Sequence, residues 1–126
     1  MNSGSACPCG TDRPYAACCK PLHDGEPATS AERLMRSRYS AYVLQLVAYL
    51  TATWHPSTRP AHLVLDQPRW LGLQIKQQAT QGDRATVEFV ARYKTGGKAT
   101  RLHERSRFVR EDGRWYYVDG EFPGRG

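Results

Sequence analysis

The stretch CPCGTDRPYAACC carries all four cysteines of this chain, Cys7, Cys9, Cys18 and Cys19, in the order C-x-C, eight residues, C-C. Four thiols can grip one tetrahedral ion if the chain makes two tight turns toward a common point. Pro8 and Gly10 beside the first pair suit such a turn, and Cys18-Cys19 close the loop after TDRPYAA. Four thiolates fill the coordination shell of Zn²⁺ and leave no position for a substrate. The expected cofactor is therefore one structural zinc ion whose binding folds the local peptide. The rival readings fit less well. Adjacent Cys18 and Cys19 make a poor disulfide, no redox C-x-x-C is present, and iron–sulfur motifs usually space their cysteines differently. His23 is a spare donor that four thiols make unnecessary.

A second group of chemically capable residues lies on RLHERSRF. Strand alternation puts Leu102, Glu104, Ser106 and Phe108 on one face and Arg101, His103, Arg105 and Arg107 on the other. The apolar pair at 102 and 108 turns Glu104 and Ser106 inward and leaves an arginine stripe facing water. A buried carboxylate needs a partner. Arg38, on the flank of the apolar face of a predicted helix, is expected to supply it, closing helix onto sheet as an ion pair. The competing reading makes Glu104 a catalytic acid/base with Tyr39, His55 or Asp119 nearby. The expected pocket residues are Arg38, Tyr39, Trp54, Trp70, Glu104 and Ser106. Trp115 is read as core or pocket wall with the other tryptophans. His55, just before Pro56, reads first as a turn residue. No Gly-rich phosphate loop, nucleophile elbow or H-E-x-x-H occurs.

The elements that must position these groups are legible in outline. Thr29 or Ser30 can cap a helix, with Thr29-x-x-Glu32 at capping-box spacing. The run from Ser30 then places Met35, Tyr39, Tyr42, Val43 and Leu46 on one helical face. It is long enough for two helices with a bend near Gln45, ending at His55-Pro56. Beyond PSTRP the pattern turns to strands. Leu71, Leu73 and Ile75 alternate, as do Val87, Phe89, Ala91 and Tyr93, with hairpin signals at QGD, TGGK and EDGR and a last strand at WYYVDG. Helices followed by an antiparallel meander predict an α+β domain with helices on one face of a curved sheet. The division expected is a zinc knuckle over residues 1–25 and an α+β domain over 26–126, the latter folding without the former.

The cysteine stretch resembles the SEC-C motif, the zinc-binding tail of the SecA translocation ATPase. Cys7, Cys9, Cys18 and Cys19 match its four ligand positions and Tyr15 a common aromatic, while TDRP replaces the small residues usual after the glycine. The rest resembles the nuclear transport factor 2-like (NTF2-like) cone, in which helices and a bent sheet enclose a pocket. Taken whole, LMRSRYSAY, TWHPSTRP, RWLG, EFVARY and RLHERSRFVREDGRWYYVDG resemble the YchJ family of bacterial proteins. That resemblance implies a fold and a zinc site but no established reaction. The SecA tail contacts a chaperone and ribosomes, which implies a protein or ribosome partner for the knuckle.

Composition narrows the remaining choices. In 126 residues, 18 Lys and Arg against 12 Asp and Glu give a formal charge of +6, lowered to about +4 by a zinc tetrathiolate. The charge is spread along the chain, and the arginine stripe lacks the interleaved aromatics that bind single strands, which argues against nucleic acid. There is no spanning apolar run, and MNSGSACPCG has neither the basic start nor the apolar stretch of a signal peptide. A soluble, cytoplasmic protein away from membranes is expected. Two functions follow: an interaction module with a ligand pocket in the cone, or a small-molecule enzyme of isomerase, hydratase or hydrolase type using Glu104.

Overall fold

The computed structural model describes residues 6–65 and 68–122. The first five residues of the expected knuckle and the last four of the chain thus lie outside the described residues. A single 3₁₀ turn, Tyr15–Ala17, leads into three helices, α1 (Lys20–His23), α2 (Ala31–Leu44) and α3 (Val47–Ala52). Four strands follow, β1 (Arg69–Gln81), β2 (Arg84–Thr95), β3 (Lys98–Glu111) and β4 (Arg114–Glu121). They form one antiparallel meander in the order β1-β2-β3-β4. This is the α+β, NTF2-like arrangement, helices packed on an open antiparallel sheet.

Local chemistry explains the breaks. Ser30 caps α2, its Oγ accepting from the Arg33 N–H at 3.1 Å. Glu32 does not reach back to Thr29 as a capping box would; it takes the Arg36 Nε–H at 3.0 Å. The helix stops at Gln45, whose φ of 61° is left-handed and turns its N–H onto the Ala41 and Tyr42 carbonyls. This left-handed stop is the bend between α2 and α3. The end of α3 is tied to the sheet, with His55 N donating to Tyr117 O at 2.7 Å and Tyr117 N to Thr53 O at 2.8 Å.

Strand β1 departs from simple alternation. A bulge between Trp70 and Gly72 re-aims the chain, and a second falls between Ile75 and Gln77. Leu71 is therefore 43% exposed instead of sharing a face with Leu73 and Ile75. Trp70 takes the inward place, its ring 5.5 Å from both Tyr39 and Tyr93. Extra residues of this kind bend a strand, and here they curve the sheet around α2.

Buried side chains of α2 (Leu34, Met35, Tyr39), β2 (Val87, Phe89, Ala91), β3 (Phe108) and β4 (Trp115) form one cluster with all four cysteines. The core thus runs unbroken across residue 25. Among the described residues, no helix is long and apolar enough to cross a membrane.

Candidate metal centre and cone cavity

Two turns bring the cysteines together. Cys7 N donates to Arg13 O at 2.8 Å, closing a bridge between Ala6 and Pro14, and Gly10 supplies a φ of 88°. The 3₁₀ turn then returns the chain so that Cys18 and Cys19 meet the first pair. All four thiols are free and buried, with their sulfur atoms within 4.8 Å of one another. Cys9 Sγ and Cys18 Sγ are 3.6 Å apart. That is close to the edge of about 3.8 Å of a sulfur tetrahedron drawn at the zinc–thiolate distance of about 2.3 Å. The donor set fits a thiophilic ion with a closed shell.

Electrostatics point the same way. Hydrogen bonds from Cys19 and Cys9 pull the Cys7 thiol well below the ordinary range. Cys19 is pushed far above it, because its proton is held on Cys7 and then on Cys9, with burial adding to the effect. Four thiolates cannot share this space unless a cation balances them.

Helix α2 supplies the wall behind the centre. Ser40 Oγ lies 3.5 Å from Cys7 Sγ and donates to Cys19 Sγ at 3.3 Å. Arg33 donates through Nη2 to Cys18 O at 3.0 Å and through Nη1 to Cys18 Sγ at 3.7 Å. Arg36 reaches Cys9 O at 2.8 Å, and Thr11 Oγ1 lies 3.1 Å from Cys18 Sγ. His23 is not among the clustered donors. Burial holds its pKa below the usual imidazole range, so the ring is neutral. Its Nε2 sits 2.8 Å from Ser37 O, which can only accept, so Nδ1 accepts from Tyr15 OH at 2.6 Å. Of these supporting residues, Thr11, Arg33, Arg36 and Ser40 were not singled out in the sequence. The legible signal was Arg33, Ser37 and Ser40 at helical spacing, small or long polar groups on a stripe that is otherwise buried.

On the other side of α2 a cavity of about 230 Å³ opens between helix and sheet. Its lining includes Arg38, Tyr39, Tyr42, Trp70, Glu104, Ser106 and Tyr117. Trp54 is not on the lining; it stands behind, its ring 5.2 Å from the Arg38 guanidinium carbon and 5.0 Å from Tyr117.

The expected Arg38–Glu104 ion pair does not form. Arg38, 2% exposed, spends Nη1 on Leu50 O at 2.9 Å and Thr53 Oγ1 at 2.7 Å. It stacks on Tyr117 at 4.6 Å. Burial lowers its pKa, and the nearby tyrosines act the other way. Glu104 Oε2 instead accepts from Ser106 Oγ at 2.7 Å and from Tyr117 OH at 3.3 Å. Tyr117 thus links the two charges, ring face to Arg38 and hydroxyl to Glu104. Burial, then the Glu104 charge, raise its pKa, so it stays a donor.

Of the four catalytic candidates, Glu104 and Tyr39 line the cavity and the other two do not. His55 hydrogen-bonds Glu111 at 2.9 Å and Ser57 at 2.8 Å. Asp119 is clamped by Arg107 at 2.6 and 2.9 Å on the outer face. The outer-face stripe is itself partly neutralised, since His103 and Arg105 both meet Glu88 and Arg105 also meets Glu121.

Comparison with known proteins agrees with this picture. A family model described as "YchJ, middle NTF2-like domain" matches residues 30–120. A UPF0225 protein of Bordetella parapertussis is 56% identical over 126 residues, covering 95% of each chain. One from Ralstonia nicotianae is 58% identical over 133 residues, covering 93% of this chain and 91% of its own. Among solved structures, a SEC-C motif containing protein from Rhodopseudomonas palustris is similar at a TM-score of 0.84 and 37% identity, covering 94% of this chain and 98% of that one. A SEC-C motif containing protein from Psychrobacter arcticus reaches 0.79 at 32% identity, covering 93% and 82%.

Proposed function

The chain belongs to the YchJ family, and from that premise we propose that it is a zinc-stabilised binding module of the cytoplasm. Zn²⁺ is held by Cys7, Cys9, Cys18 and Cys19. The knuckle so fixed offers its outer surface to a protein or ribonucleoprotein partner, and the cone cavity takes a small ligand. A compartment that keeps thiols reduced suits four free cysteines.

The observation that carries binding over catalysis is the state of Glu104. Its Oε2 already accepts two hydrogen bonds, and no histidine or second carboxylate lines the cavity among the described residues. General acid/base chemistry on such a cavity pairs the carboxylate with a histidine or second carboxylate that relays the proton, and neither stands here among the described residues. An arginine, a carboxylate and a rim of aromatic rings instead suit orientation of a small polar ligand.

Native mass spectrometry of protein purified under reducing conditions tests this directly. The expected result is one zinc per chain, lost in Cys9→Ser, together with a retained small molecule that departs on unfolding. Wild-type protein with reduced thiols, a native fold and no bound metal would overturn the reading.

A further inference from the structure

The outer face of the sheet is divided in charge. Toward β4, side chains of β3 meet acids: His103 and Arg105 on Glu88, Arg105 on Glu121, Arg107 on Asp119. Toward the β2–β3 hairpin the cations stand in register with one another. Arg92 is directly opposite Arg101, and Arg69 directly opposite Lys94. All four are exposed, and among the described residues none has a carboxylate within ion-pair distance. Like charges directly opposite on a sheet destabilise it. The fold gains nothing visible from this arrangement.

A shallow groove of about 540 Å³ crosses the patch, lined by Leu71, Arg92, Ala99, Thr100 and Arg101. Leu71 adds an exposed apolar side chain, thrown outward by the Trp70/Gly72 bulge. Gly72, paired with Arg92, has no side chain to crowd the guanidinium.

We infer that this patch binds an extended acidic segment of a partner protein. Same-face residues along a strand recur at about 6.8 Å, and neighbouring strands lie about 4.8 Å apart. Two rungs of paired cations therefore match acidic side chains at alternate positions of an extended peptide, with Leu71 beside them for an apolar residue. A nucleic-acid strand fits less well. The patch has no exposed aromatic side chain for base stacking, and its free cations stop where Glu88, Glu121 and Asp119 occupy Arg105 and Arg107, too short a track for a run of phosphates. The inference needs neither the metal nor the cavity, so its failure leaves the zinc-module reading standing.

The test uses the full metal-loaded chain and a fluorescent alternating Glu-Ser peptide, read by anisotropy. Arg92→Thr with Arg101→Thr should weaken binding about tenfold or more, as loss of two charge contacts implies. Removing the same charge at the far end of the sheet, with Arg110→Thr and Arg114→Thr, should leave affinity unchanged. Added salt should weaken the wild-type complex. The patch double variant should also melt at the same temperature or higher, since a repulsive pair is removed. Equal loss in both double variants, a lower melting temperature for the patch variant, or tighter binding of a single-stranded oligonucleotide than of the peptide would each overturn the proposal.

Discussion

Glu104 shows how much a charged residue depends on atoms its own neighbourhood in sequence does not reveal. Its carboxylate is held by Ser106 Oγ and Tyr117 OH, two neutral donors that an amide oxygen satisfies equally. Glu104→Gln should therefore cost about 1 kcal/mol, the scale of ordinary hydrogen bonds. A buried ion pair broken on one side would cost about 3–5 kcal/mol. Thermal or urea unfolding of the variant decides the matter, and a loss in the larger range would mean that Arg38 and Glu104 are coupled after all. The cysteines were legible for the opposite reason. A tetrahedral thiolate site is set by spacing along one short stretch, and that spacing is written in residues 7–19. Arg38 resolves its charge on a backbone carbonyl of α3, a threonine hydroxyl and two rings, and no pattern in the sequence marks a carbonyl as a partner.

The sheet carries its own constraint where β3 meets β4. A Cβ built on Gly120 would collide with Glu104 Oε2 and lie 2.7 Å from Cδ and 2.9 Å from Cγ. Glycine at 120 is thus what lets Glu104 lie flat against β4 within reach of Ser106 and Tyr117. Gly120→Ala should destabilise by about 1–3 kcal/mol, as overpacking does, and adding Glu104→Ala should restore much of that loss. Strict additivity in a double-mutant cycle would show that the glycine serves something else. Elements whose signal is local were readable: the α2 cap, the stop near Gln45 and the alternation of β2 and β3. The β1 bulges were not. Register there is decided by pairing with β2, and a one-residue shift exchanges Trp70 for Leu71 without changing the apolar count.

At the scale of the whole molecule, the knuckle and the cone are not two bodies joined by a linker. Cys7 and Cys19 face Ser40 on α2, His23 bonds the Ser37 carbonyl, and Arg33 and Arg36 tie the cysteine loop back to the helix. Ser37 and Ser40 are fully buried under this cover, on the same helix that presents Leu34, Met35 and Tyr39 to the sheet. The sequence alone suggests that residues 26–126 fold by themselves, because periodicity reports the face of a helix but not what lies on its second side. With the proposed zinc held there, its removal should therefore loosen α2 as a whole. Four buried thiols would be left without the ion that balances them, and the helix would lose one of its two supports. The expected loss is on the order of 5 kcal/mol, a large share of a small domain's total stability of about 5–15 kcal/mol. Chelation under reducing conditions should lower the melting temperature in one transition, seen alike by far-ultraviolet circular dichroism and by the fluorescence of Trp70 and Trp115. Deletion of residues 1–24 should leave a chain without a cooperative transition. If the tryptophan signal instead melted at an unchanged temperature after chelation, the sheet and α2 would be self-sufficient. The cysteine centre would then be an ornament on the cone and not part of its core.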